Sequence, residues 1–250
     1  MKKEIYVPIF GIIAAEGLMF FDKIFQGLGI HIVNLFTIIF IIVFSSVRLE
    51  EKNILQSLIL IIMLRIVNLS MPQFFTVAIL QHSLIYGIMF IPIYHVINNQ
   101  QISLKELGID FRKLYIYLPV AIFIGIIIGL IEYKILSSIS FIEEIKISSM
   151  ILISIIMFVF IGPVEEIIFR SIIQTRIEKV FGSMSAILLS GGLFGVMHAS
   201  YGMINEIMFT TMFGIVLSYI FYRTRNLPFI VTIHGTANVM SFGILAKMLI

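Results

Sequence analysis

The chain has 250 residues, 60% of them apolar and only 12% charged, with a formal net charge of +3 and no cysteine. That charged fraction is about half the usual one and cannot dress a water-soluble surface, so the class is a membrane protein. The missing cysteine excludes disulfides and thiolate chemistry, and the scattered basic residues form no stripe of the kind that binds nucleic acid.

The predicted elements, in chain order, are apolar segments at roughly 5–21, 28–47, 54–71, 73–97, 114–136, 147–169, 184–199, 203–222 and 228–249. Uncharged runs of this length must find hydrocarbon, where a helix satisfies every backbone group internally. The expected fold is therefore all-α, a polytopic transmembrane bundle of eight or nine spans with an intramembrane polar cavity. Met1-Lys2-Lys3 before the first run reads as the lead-in to a membrane segment and not as a removable signal. Pro72 separates the third and fourth segments, and Pro228 opens the last, where a missing N–H costs least. No period of 20–50 residues repeats.

Charge orients the bundle. Under nine spans, one side holds Lys2, Lys3, Arg48, Lys52, Lys105, Arg112, Lys113, Arg170, Arg176, Lys179, Arg223 and Arg225. The other holds Lys23, Lys134, Lys146 and Lys247. Twelve against four places the N-terminus in the cytoplasm of a multi-pass protein of the cell membrane. The polar connection 98–113 reads as an interfacial segment, and the connection 137–148, with Glu143, Glu144 and Lys146, as a solvated loop.

Three polar clusters interrupt the C-terminal segments. Glu165 and Glu166 follow an apolar run and Gly162-Pro163. Glu166 and Arg170, four residues apart, share a helix face and can pair, while Glu165, about 100° away, stays free to act as a base. Snorkelling interfacial glutamates are the alternative. Phe194 and His198 stand in a segment rich in small residues (Ser190, Gly191, Gly192, Gly195), which lets neighbouring helices approach closely. His234 and Asn238 lie one turn apart, and such a pair binds a metal, hydrogen-bonds a polarised carbonyl or glues two helices. Together the clusters supply a base, imidazoles and an amide donor, the parts for hydrolysing a peptide bond.

The ordered patterns EExxxR, FxxxH and HxxxN resemble the CPBP family of CAAX proteases (CAAX prenyl protease 2-like) and bacteriocin-processing (Abi) enzymes, over roughly 147–242. The division that follows is N-terminal transmembrane helices over 1–146 and a core of helices over 147–250. The resemblance implies an intramembrane endopeptidase in which Glu165 activates water, His198 assists, and His234 and Asn238 stabilise the oxyanion. Glu166, Arg170 and Phe194 are implied as support. Its substrate is a prenylated CAAX-type protein or another membrane-associated peptide, and its surroundings are the lipid bilayer. A metal-free route and a metalloprotease route holding zinc on Glu165, His198 and His234 both stay open, although no HExxH motif is present. A non-enzymatic scaffold or bacteriocin-immunity protein is the competing class, and a transporter gated at Arg65 a third.

The geometry carries one tension. If Glu165 ended a span at the cytoplasmic face, His198 at the far end of the next span could not meet it. A helix kinked or broken at Gly162-Pro163, so that 164–181 forms a second piece with the glutamates inside the membrane, helped by a short tilted helix at 184–199 and with a cavity open to the cytosol, is the expected escape.

Overall fold

The computed structural model describes residues 3–70, 78–136, 140–142 and 144–248, so Pro72 and Glu143 lie outside the described residues. Within them the chain is helical throughout, with no strand. Ten helices follow in order: α1 Lys3–Phe20, α2 Ile24–Phe44, α3 Leu49–Ser70, α4 Ala78–Asn99, the one-turn α5 Leu104–Leu107, and α6 Leu114–Leu136. Then come α7 Ile147–Phe181, α8 Ser183–Val196, α9 Ile204–Thr224 and α10 Leu227–Met248. Isoleucine-rich runs are indifferent helix formers in water, but in hydrocarbon the helix is the form that leaves no backbone group unpaired.

Seven helices among the described residues are long and apolar enough to cross a membrane: α2, α3, α6, α7, α8 with the turn that follows it, α9 and α10. The expected eight or nine spans is thus an approximate count. Over their described residues all nine apolar segments coincide with helices, but α1 carries Lys3, Glu4 and Glu16, and α4 is diluted by Gln81, His82 and His95.

Connections gather the basic residues at one end of the bundle. Asn226 caps α10 through Phe229 N (2.8 Å) and donates to Asp110 O (2.7 Å), while Leu227 N donates to Gly108 O (2.7 Å). Pro228 does sit in the first turn of α10. Gly108 has φ +79°, and a Cβ there would lie 2.7 Å from the Phe221 ring, so only glycine lets α5 tuck beneath α9. Ser103 and Glu106 form a capping box on α5. Arg176 and Lys179 reach Glu106 at 3.2 and 2.8 Å, and Arg225 pairs with Glu178 at 2.6 Å. At the opposite end Phe141 N donates to Phe242 O (2.9 Å), and the exposed pair Glu144–Lys146 bears out the solvated reading of that connection.

Small residues set the close helix contacts. A Cβ on Gly191 would stand 2.6 Å from Ile215 N, and one on Gly125 2.7 Å from Ile233 O, so α8 meets α9 and α6 meets α10 backbone to backbone. Gly192, expected to take part, has nothing within 4 Å of its Cβ position.

Candidate active site

The helix that carries the glutamate pair is not broken. Helix α7 runs 35 residues without interruption, and Gly162–Glu166 is an α-helical piece between two π-helical stretches, Ile156–Ile161 and Ile167–Gln174. Pro163 lacks an N–H, and the preceding turn widens to absorb the loss instead of parting. At 1.5 Å per residue Glu165 stands roughly 27 Å from one end of α7 and 24 Å from the other, near the middle of that helix. Helix α8 is short, 14 residues, and ends at Val196, followed by a 3₁₀ turn at Ala199–Tyr201. His198 therefore stops at the depth of Glu165, and the tension read from the sequence disappears through the length of one helix and the shortness of the next.

The two glutamates have different surroundings. Glu166 is fully buried; its Oε1 accepts from Arg170 Nη1 (2.8 Å) and lies 2.7 Å from His234 Nδ1. Arg170, also fully buried, donates to Gly214 O (3.1 Å) and stacks 4.5 Å from the Phe194 ring centre. Glu165 is 7% exposed and lines a cavity of about 60 Å³, room for a few waters, which Glu166 does not line. Its Oε1 accepts from Tyr86 Oη at 2.5 Å, and its Oε2 stands 3.6 Å from His234 Nε2.

The imidazoles are oriented by acceptors. His198 Nδ1 lies 2.9 Å from Phe194 O, which only accepts, so Nδ1 carries a proton and in the neutral ring Nε2 keeps the lone pair. His234 Nδ1 donates to Glu166, whose charge Arg170 stabilises, which turns Nε2 towards Glu165. Phe194 packs against both rings, at 5.0 Å from His198 and 5.9 Å from His234. Asn238, one turn beyond His234, lines the same cavity. Glu165, Phe194, His198, His234 and Asn238 thus share one wall-to-wall space, with Glu166 and Arg170 behind it.

Several lining residues come from elsewhere: Tyr86 from α4, Glu132 from α6, and Tyr201 and Glu206 from the turn into α9. Glu132 and Glu206 carried a signal, an ionisable group at the edge of an apolar run. Tyr86 carried none. A second cavity, about 180 Å³, adjoins Glu165 and His198 and reaches Arg65. Arg65 is a paired residue. It grips Glu16 through Nε (2.7 Å) and Nη2 (2.8 Å), Glu16 also holds His31 (3.0 Å), and Arg65 donates to Ser200 Oγ (3.1 Å) and Met197 O.

A zinc ion on Glu165, His198 and His234 would be held through Glu165 Oε2, His234 Nε2 and His198 Nε2, all on residues that line one cavity. Among the described residues no three His, Asp or Glu side chains converge as a metal-ligand group. The bonds of Glu165 Oε1 to Tyr86 and of His234 Nδ1 to Glu166 turn Glu165 Oε2 and His234 Nε2 towards each other, 3.6 Å apart. A cavity open to the cytosol is expected to be lined from the basic end, but residues near the other end of the bundle, Phe141, Phe242, Tyr201 and Glu206, also contribute.

No curated protein and no solved structure matches the chain. Residues 147–240 do match a family, described as Rce1-like, type II CAAX prenyl endopeptidase Rce1-like, and the match spans all three clusters. Over that segment the chain is similar to the Rce1-like family, and its long apolar helices make it a multi-pass membrane protein.

Proposed function

We propose that the protein is an intramembrane endopeptidase in which Glu165 is the general base. The observation that carries this is the inequality of the two glutamates: Glu165 faces the cavity, and Glu166 is turned away and held by Arg170 and His234. Water entering the cavity meets the Glu165 carboxylate, which takes its proton as the oxygen attacks the scissile carbonyl. As the intermediate collapses the Glu165 carboxyl returns that proton to the leaving amine, and His198, whose neutral ring keeps its Nε2 lone pair, accepts the remaining proton of the attacking water. Asn238 donates its amide N–H groups to the developing oxyanion without changing protonation, joined by His234 when Nε2 carries a proton. Arg170 and Glu166 act through His234 as positioning residues, and Phe194 fixes both rings.

Two substrate classes suit this chemistry: a prenylated protein of the CAAX type, favoured by the family match, or a membrane-associated peptide undergoing maturation. The purified protein in detergent, offered a farnesylated CAAX peptide and an unprenylated peptide pool, is expected to cleave at least one of them, at the same rate with and without a chelator. A rate abolished by chelator and restored by zinc contradicts the metal-free route. Intact peptides throughout favour a scaffold or immunity role.

A further inference from the structure

The cavity and the basic residues occupy opposite ends of the bundle. At one end stand Arg48, Lys52, Lys105, Arg112, Lys113, Arg176, Lys179, Arg223 and Arg225, cross-linked by the contacts among Gln100, Glu106, Glu178 and Asp110. At the other stand Lys23, Lys134, Lys146 and Lys247 alone. Lysine and arginine in short connections stay on the cytoplasmic side, since carrying them across the membrane is costly. Both cavities beside Glu165 reach away from that end. The first is walled by Tyr201, Glu206, Phe141 and Phe242, and the second by Asn68, Ser200 and Tyr201, all within a few residues of the opposite connections. Towards the basic end Glu165 is sealed by Glu166, Arg170, Ser171 and Gln174, every one without exposure.

From this opposition we infer that the site is entered from the extracytoplasmic face, so that its substrate is a peptide segment presented there: a translocated peptide or the outer juxtamembrane stretch of a membrane protein. The inference rests on the peptidase reading for the word substrate, but not for the direction of access. It selects the second of the two substrate classes, because a cytosolic prenylated C-terminus would meet the sealed end. It also gives Glu132 and Glu206 a setting, as cavity-wall carboxylates near the entrance.

The chain has no cysteine, so single cysteines report access without background. Met203→Cys and Glu144→Cys mark the connections at the cavity end, Lys105→Cys and Lys113→Cys the basic end, and Glu206→Cys the cavity wall; the first four positions are exposed. Intact cells are treated with a membrane-impermeant thiol blocker, then lysed and labelled. The expected result is loss of labelling at 203, 144 and 206 and full labelling at 105 and 113. Labelling retained at both 203 and 144 but lost at 105 and 113 reverses the orientation and overturns the inference. So does a position 206 that the blocker reaches only in inverted vesicles. An impermeant quenched peptide pool on right-side-out vesicles supplies the second readout, with cleavage expected before permeabilisation. Cleavage that appears only after permeabilisation overturns the inference. If no peptide is cleaved from either side, the peptidase reading fails, and the labelling still decides the direction of access.

Discussion

At the residue scale the site turns on how one buried ion pair divides two adjacent carboxylates. Arg170 compensates Glu166 inside a helix with no solvent to replace it. Removing one member of such a pair costs about 3–5 kcal/mol, because the other charge is left alone in low dielectric. Arg170→Met is therefore expected to lower stability by that order, read as a drop in melting temperature in detergent, with Arg170→Met/Glu166→Gln recovering part of it. A double variant no better than the single would remove the pair from the account. The i,i+4 spacing made this pairing legible in the sequence, and it made Glu165 the free carboxylate. Tyr86 was illegible: a tyrosine in an apolar run has no pattern, and only the packing of α4 on α7 brings its hydroxyl to Glu165.

Among the elements, depth is controlled by helix length. The three clusters meet because α7 is long enough to hold Glu165 at its middle and α8 short enough to stop at His198. The sequence placed a helix at each apolar segment, but hydropathy ended one at about residue 169, since the polar residues after it looked like a membrane exit. They are instead buried: Arg170, Ser171 and Gln174 find partners in Gly214 O, Leu107 O and Ser218 O. Tertiary hydrogen bonds, absent from any local pattern, decide that the helix continues. Gly162-Pro163, expected to kink or break the helix, lies in an α-helical piece between two π-helical stretches, where the widened turn absorbs the missing N–H without a break.

Close contacts between elements are equally testable. Gly125→Val puts a branched side chain where a Cβ already meets Thr236 Cβ at 2.5 Å and Ile233 O at 2.7 Å. It is expected to pry α6 from α10, with a cost of about 1–3 kcal/mol and a loss of activity through His234 and Asn238. Unchanged melting would show that the helices do not touch as described. At the basic end, Glu106 is held at a pKa of about 2, below its ordinary 4.5, chiefly by the Lys179 ammonium, with the Ser103 N–H and Arg176 adding to it. A depressed carboxylate contributes stability above its unfolded pKa and loses it as pH falls through the folded one. The melting difference between the protein and Glu106→Gln should be flat above about pH 5, small because solvent screens a partly exposed pair, and should vanish towards pH 2. A difference that grows on acidification contradicts the assignment.

For the whole molecule, membrane residence follows from composition and needed no structure, while the site is a product of both halves of the chain. The division into helices over 1–146 and a core over 147–250 is a proposal that the family match supports for the core. The N-terminal part nonetheless supplies Tyr86 to the base, Glu132 to the cavity, and the Arg65–Glu16–His31 network that pins the turn after His198. That arginine, readable from sequence as a gate or a paired residue, is a brace. The side from which the cavity is entered is not legible in motif order, which gives depth no sign; extracytoplasmic access is inferred from the joint placement of the connections. The central claim is that Glu165 alone activates water. The most direct test is the cleavage rate of Glu165→Gln beside that of the unaltered protein, with melting measured on both. A rate lower by about 10²–10⁴-fold at unchanged melting is predicted, and a rate within a few-fold of the original would contradict the account.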